Sequence, residues 1–276
     1  MAMTDFEGRT ALITGAADGI GAALAEALLE AGARVFLSDI NEAKLKETAR
    51  RLKSPNAVCD VSDAKAVDAT VEAAWTEFGG VDLLCANAGV IVPGSLLETS
   101  DEDVRFIFGV NVWGVVNACR SHALRLRASE RTGHILLTGS EHSLSSPEYL
   151  REMPLHLYNM TKHSVLSIGE SMRAELTENG VGVSVLCPGP VMSGLNENSE
   201  QVRPEELGVQ PELNISRLDP ATLSGLGDLY LSAADAAAIA LRGIRAGAFV
   251  IPTHAFQRKD VDARYKEMVA GFDLLE

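Results

Sequence analysis

Thr14-Gly15-Ala16-Ala17-Asp18-Gly19-Ile20-Gly21 follows a short apolar run at 9–14 and opens an alanine-rich stretch at 19–31. A short apolar run bounded by turn residues reads as a buried strand, and the longer stretch as a helix. Three glycines between them permit a tight turn, close approach of backbone to a ligand, and close helix–strand packing. The helix N-terminus then presents unpaired N–H groups, which suit a pyrophosphate. On this reading Gly15, Asp18, Gly19, Ile20 and Gly21 are cofactor contacts. The spacing is G-x-x-x-G-x-G rather than G-x-G-x-x-G, so this stretch alone leaves a purely structural turn open.

The alternation continues outward from the turn. Further strands read at 34–38, 57–59, 81–85, 133–138, 181–186 and 248–251, and helices at 41–53, 63–78, 101–129, 158–179 and 232–246. Strands apolar on both faces, separated by amphipathic helices, imply a parallel sheet covered on both sides. Right-handed crossovers then give an α/β fold with a Rossmann-type, doubly wound, seven-stranded parallel sheet. A single domain over residues 1–276 accommodates all of it. Two segments interrupt the alternation, about 141–157 and 194–231, and long connections of this kind are usually functional. They are read as substrate lids.

Composition narrows the class. Of 276 residues, 46% are hydrophobic and 22% charged, as in a soluble globule with a sizeable core. The formal net charge of −14 argues against a nucleic-acid or anionic-membrane partner, because phosphate surfaces need clustered Lys and Arg. Cys59, Cys85, Cys119 and Cys187 form no CxxC pair and no zinc spacing, so they read as buried inert thiols and no metal is expected. No run is long and apolar enough to span a bilayer. A reduced, cytoplasmic protein is expected.

Ligands of doubly wound sheets bind beyond the strand C-termini, so the residues ending each strand carry the chemistry. Asp39, with Ile40 after it, ends the second strand a little over twenty residues past Gly15. A carboxylate there can accept the adenine-ribose hydroxyls and repel a 2′-phosphate. The nearest cation is Lys44, which favours NAD over NADP. Asp60-Val61 follows the third strand and can meet the adenine; Asn87-Ala88-Gly89 follows the fourth and lets backbone approach the cofactor. Ser140 ends the fifth, where its hydroxyl can hold a substrate oxygen. Tyr158 and Lys162 lie four apart at a helix start and share a face. An ammonium beside a phenol favours the phenolate, which suits proton exchange with an alcohol or carbonyl. Asn111, amid apolar residues of a long helical stretch, is either a packing group or a water holder.

Taken in order, Thr14–Gly21, Asp60, Asn87-Ala88-Gly89, Asn111, Ser140, Tyr158, Lys162 and Pro188-Gly189 resemble the short-chain dehydrogenase/reductase family, in its compact single-domain branch. The resemblance implies Tyr158 as general acid/base, Ser140 as its partner on the substrate oxygen, and Lys162 as the residue that lowers the Tyr158 pKa and binds the nicotinamide ribose. Asn111 would position a water in a proton relay. Pro188 to Ser193 would line the nicotinamide, with Val191 and Ser193 near its carboxamide. Ser193 stands where the family usually has Thr, and the Ser140–Tyr158 gap is longer than usual.

The tail at 249–256 with Arg264-Tyr265, together with Pro188-Gly189-Pro190 and Arg203-Pro204, is similar to a narrower group that includes dehydrogenases of benzylic Cα alcohols in lignin-derived aryl ethers. The expected activity is hydride transfer between NAD and a CH–OH group of a bulky, apolar or aromatic secondary alcohol. Ser140, His142, Tyr149, Met153, Pro190 and Leu195 are its candidate contacts. Lyase or epimerase chemistry on the same fold, and a non-catalytic cofactor-sensing protein, are the alternatives. The resemblance also implies a homotetramer or homodimer built partly on the helices at 101–129 and 158–179.

Overall fold

The computed structural model describes residues 3–147, 153–210, 212 and 230–275. Strands β1 (Thr10–Thr14), β2 (Arg34–Asp39), β3 (Asn56–Val58), β4 (Leu83–Ala86), β5 (Gly133–Thr138) and β6 (Val181–Cys187) alternate with helices α1 (Gly19–Glu30), α2 (Glu42–Leu52), α3 (Ala64–Phe78), α4 (Asp101–Phe108), α5 (Gly114–Ala128) and α6 (His156–Leu176). A short pair, β7 (Val191–Met192) and β8 (Leu231–Ser232), flanks α7 (Leu195–Gln201) and leads into α8 (Ala233–Arg245). The chain then forms β9 (Val250–Pro252) and α9 (Arg258–Ala270).

The expected doubly wound parallel sheet is present: seven strands in the order β3-β2-β1-β4-β5-β6-β9. The strand order reverses between β1 and β4, where a crevice opens above the strand ends. Every residue of β1, β4 and β6 is buried, as strands covered on both faces must be. Leu24, Leu28, Leu241 and Ile244, from α1 and α8, pack on one face; Val71, Val115, Leu126 and Val165, from α3, α5 and α6, pack on the other. The four cysteines are buried and free.

The expected helix at 101–129 is interrupted. Gly109–Trp113 forms a π-helical turn between α4 and α5. Such turns insert one residue into an α-helix and concentrate at functional sites. Gly114 follows it, and a Cβ there would lie 2.6 Å from Val61 Cγ2, so the helix can approach the end of β3 only without a side chain. The expected lid at 194–231 begins with a helix, α7, rather than irregular chain. Helix α9 lies beyond the helices read from the sequence, and none of its residues is buried. No helix among the described residues is long and apolar enough to cross a membrane.

Candidate active site

A cleft of about 810 Å³ crosses the C-terminal ends of the central strands. Its first wall is the turn after β1. Gly15 and Gly19 hold φ of 65° and 55°, the left-handed region that favours glycine. The Asp18 carboxylate caps α1 by accepting from Gly19 N at 2.7 Å. Gly21 does not line the cleft. A Cβ there would stand 2.0 Å from Gly15 O, so this glycine serves the packing of helix against turn. Asp39 accepts from Ala17 N at 3.0 Å and Asn41 N at 2.9 Å, which fixes its carboxylate beside the turn. Ile40, 44% exposed, and Val61 line the same end. Asp60 lines it too, while accepting from Ser62 N at 2.8 Å.

Asn87 ties three strand ends together. Its amide donates to Thr14 O at 3.2 Å and Gly15 O at 3.1 Å, and its oxygen accepts from Thr138 Oγ1 at 3.0 Å. Thr14 Oγ1 in turn accepts from Asn87 N and Ala88 N at 3.0 and 3.1 Å. Gly89 stays open for chemistry behind it: a Cβ there would meet Asn111 Oδ1 at 3.3 Å and Lys162 Nζ at 3.5 Å.

On the floor, Tyr158 and Lys162 project from the first turns of α6, and Ser140 stands just past β5. The Ser140 side chain hydrogen-bonds the Tyr158 phenol. Lys162 Nζ donates to Thr138 O at 2.9 Å and lies 5.4 Å from the centroid of the Tyr158 ring. Ser143 Oγ accepts from Ser140 N at 3.1 Å and donates to Lys162 O at 2.7 Å, locking loop to helix.

Asn111 sits in the π-helical turn, fully buried. Its oxygen accepts from Val90 N at 2.8 Å; its amide donates to Val90 O at 2.8 Å and Thr161 Oγ1 at 3.0 Å. These bonds brace the loop after β4 against α6. Asn111 does not line the cleft.

A family model for short chain dehydrogenases matches residues 9–204. This chain belongs to the short-chain dehydrogenase/reductase family. It is 34% identical over 198 residues to 1-deoxy-11-beta-hydroxypentalenate dehydrogenase of Streptomyces exfoliatus, covering 68% of this chain and 70% of that one. It is 35% identical over 184 residues to a Mycobacterium tuberculosis protein named "Probable oxidoreductase EphD", where the match takes in 65% of this chain but only 30% of that longer protein. A short-chain dehydrogenase/reductase from Burkholderia phymatum, solved in complex with NAD, superposes with a TM-score of 0.85 at 33% identity, covering 98% of this chain and 97% of that one.

Burial governs the electrostatics of this short-chain dehydrogenase/reductase floor. It pushes the Tyr158 phenol up to about 12, against a smaller lowering by the Ser140 hydrogen bond. The same burial brings Lys162 down to about 8, because a low-dielectric site disfavours either charge. His142 lines the cleft but is almost entirely buried, packs edge-on to the Tyr158 ring at 5.4 Å, and is held neutral by burial, with a pKa of about 3.

The remaining wall is Pro188 to Leu195, all lining the cleft. Its floor is set from the far end of the chain: Gly189 N donates to Thr253 Oγ1 at 3.0 Å, and Pro188 O accepts from Glu141 N at 2.7 Å. Thr253 was invisible to motif reading because it follows a strand that lies outside the matched region. Thr138 was likewise missed, although its place two residues before Ser140 at a strand end was a usable signal. The lid residues divide. Leu155 and Leu157 are buried against Val90, Ile91, Val92 and Ile107, seating the loop on the protein itself. Met153, Leu155, Leu195 and Val202 also face the cleft, with Ile91, Phe106 and Val110. Helix α7 is pinned by Ile91 N donating to Ser199 Oγ at 2.9 Å, and the segment after it by an Arg203–Asp103 ion pair of 2.7 Å. Tyr149 lies outside the described residues.

Proposed function

We propose that this chain is an NAD-dependent dehydrogenase acting on a bulky, apolar or aromatic secondary alcohol, or on its ketone. The observation that carries the reading is the buried Ser140–Tyr158 hydroxyl pair, backed by Lys162, on the floor of a cleft whose outer wall is apolar. The other end of the cleft fits a dinucleotide: a positive-φ glycine turn at a helix N-terminus, the fixed Asp39 carboxylate, and a flat apolar edge at Ile40. Bound there, NAD supplies a hydride acceptor. Gly15, Asp18, Gly19, Ile20, Asp39, Ile40, Asp60, Val61 and Asn87 to Gly89 would hold its adenosine and pyrophosphate, and Pro188 to Ser193 its nicotinamide.

Tyr158 exchanges the proton of the substrate hydroxyl. Ser140 orients the substrate oxygen against it. Lys162 places positive charge beside the phenol, which stabilises the phenolate as the proton leaves. Asn111 keeps Val90 and Thr161 in place behind Lys162. A large apolar substrate buries area against Ile91, Phe106, Val110, Met153, Leu195 and Val202, at roughly 25 cal/mol per Å². His142 and Pro190 border the reacting carbon. The described parts of the two expected lid segments of this one-domain chain, 141–147, 153–157 and 194–210, bring Met153, Leu155, Leu195 and Val202 to this end of the cleft, and the rest of both segments lies outside the described residues.

A steady-state screen with NAD and NADP tests this. The highest kcat/KM is expected for 1-arylpropanols or steroid alcohols, with NAD. A small aliphatic alcohol or a sugar at the top overturns the substrate class, and no reduced cofactor from any alcohol overturns the dehydrogenase.

The assembly follows from what the helices leave uncovered. Trp113, Leu124 and Met160 are exposed on or beside α5 and α6, and Tyr265, Met268, Val269 and Phe272 form a stripe at i, i+3, i+4, i+7 running from α9. Covering these surfaces in a homodimer or homotetramer removes them from water. Four buried thiols suit a reduced cytoplasmic setting. Light scattering at micromolar concentration is expected to give a multiple of 29.4 kDa, and a monomer alone refutes the assembly.

A further inference from the structure

We infer that Lys44 is a cofactor-specificity residue of this site, and that Asp18 and Asn198 exert their part of the selection by holding it. The inference rests on the dinucleotide reading above. Among the described residues lining the cleft, the Lys and Arg side chains are Lys44, Arg105 and Lys162. Lys162 is buried on the catalytic floor, and Arg105 is paired with Asp101 and Glu102. Lys44 alone of these stands at the end with Asp39, Ile40 and Asn41, where an adenosine 2′-phosphate would seek a cation.

Lys44 is not offered to such a phosphate. Its Nζ donates to Asn198 Oδ1 at 2.6 Å and to Asp18 Oδ2 at 3.1 Å. Asn198 Nδ2 closes the triangle on Asp18 Oδ2 at 3.4 Å. The glycine turn, α2 and α7 are thereby clasped together across the mouth of the cleft. Lys44 and Asp18 side chains are 35% and 50% exposed, so the ion pair itself is weak and does not lock the lysine by energy alone. The carboxylate matters more. With Asp18 and Asp39 against Lys44, the local charge is −1, and a 2′-phosphate adds up to two more negative charges. Neutralising Asp18 brings the cluster to zero and frees one of the Lys44 N–H groups. NADP is therefore refused by a cluster that stays net negative despite its lysine, and not by Asp39 alone.

The test is a fluorescence titration with NADPH and NADH. Asp18→Asn keeps the helix cap, since Asn caps as well as Asp. It is expected to tighten NADPH binding roughly tenfold, the scale of one unit charge acting on a phosphate at close range. Adding Lys44→Ala to that variant is expected to return the affinity to the wild-type value, whereas adding Lys44→Arg keeps the gain. Asn198→Ala, which removes its bonds to Lys44 and Asp18 but keeps the Asp18 carboxylate and its helix cap, is expected to give a smaller gain of the same sign. Equal NADPH affinities for Asp18→Asn with and without Lys44 overturn the inference. Wild-type protein that binds neither NADH nor NADPH overturns the dinucleotide reading instead.

Discussion

Tyr158→Phe is expected to lower turnover by about 10²–10⁴-fold, the usual worth of a positioned acid/base, while NADH still binds. The ring and its edge contact with His142 survive the change, so the loss isolates one hydroxyl. In the protein alone the phenol is fully protonated at neutral pH, at about 12, and is set to donate to a forming alkoxide. Taking the proton back from an alcohol requires positive charge nearby. Lys162, with its ammonium 5.4 Å from the ring, is placed to give it. Stopped-flow or steady-state rates, read beside NADH fluorescence, check the prediction. A variant keeping more than roughly a tenth of wild-type turnover would remove Tyr158 from the proton transfer.

Acid is expected to unfold this protein well above the pH at which its carboxylates protonate. His122, His134 and His142 are almost entirely buried, and burial lowers their pKa values to about 3, 4 and 3. Each is neutral in the folded chain and has an unfolded value near 6.5. Between those limits the unfolded state binds more protons, so stability is fully present above pH 6.5 and falls as pH drops toward 4. One histidine costs about 1.4 kcal/mol per pH unit in that window, or about 2 kcal/mol by pH 5. Three together reach about 6 kcal/mol, comparable with the whole stability of many domains. The bonding geometry agrees. Ser184 Oγ donates to Ala248 O at 2.6 Å, so at 3.0 Å it accepts from His134 Nε2 and needs no charge on the ring. Trp75 Nε1 donates to His122 Nδ1, which must therefore lack a proton. Thermal melts from pH 8 to 5 should show a steep loss of Tm, flattened in His122→Gln. A Tm unchanged across that range contradicts the account.

The sheet was legible because periodicity and strand ends are local signals. Both faces of β1, β4 and β6 are covered, and their sequences say so without reference to any partner. The floor residues were legible for a similar reason: Ser140, Tyr158 and Lys162 are set at element boundaries, where few side chains compete for the role. What did not show was anything created by docking. Thr253 reaches Gly189 only because β9 pairs with β6, with Pro252 opposite Cys187. Lys44 appeared merely as the nearest cation; its capture by Asn198 spans 154 residues of chain. Propensity also could not place the break in the helix at Gly109–Trp113, since a π-helical turn is stabilised by what the displaced side chain finds, here Val90 and Thr161.

That break makes chain length part of the site. One residue more or fewer in a straight α-helix turns everything beyond it by about 100°. The extra residue absorbed between Gly109 and Trp113 lets Asn111 face Val90 while Asn117, further along, still reaches Val61 O at 3.1 Å. Deleting the Val112 codon would leave both asparagines in the gene and yet aim one of them away from its partner. Mutational libraries that vary only residue identity would not sample this dependence.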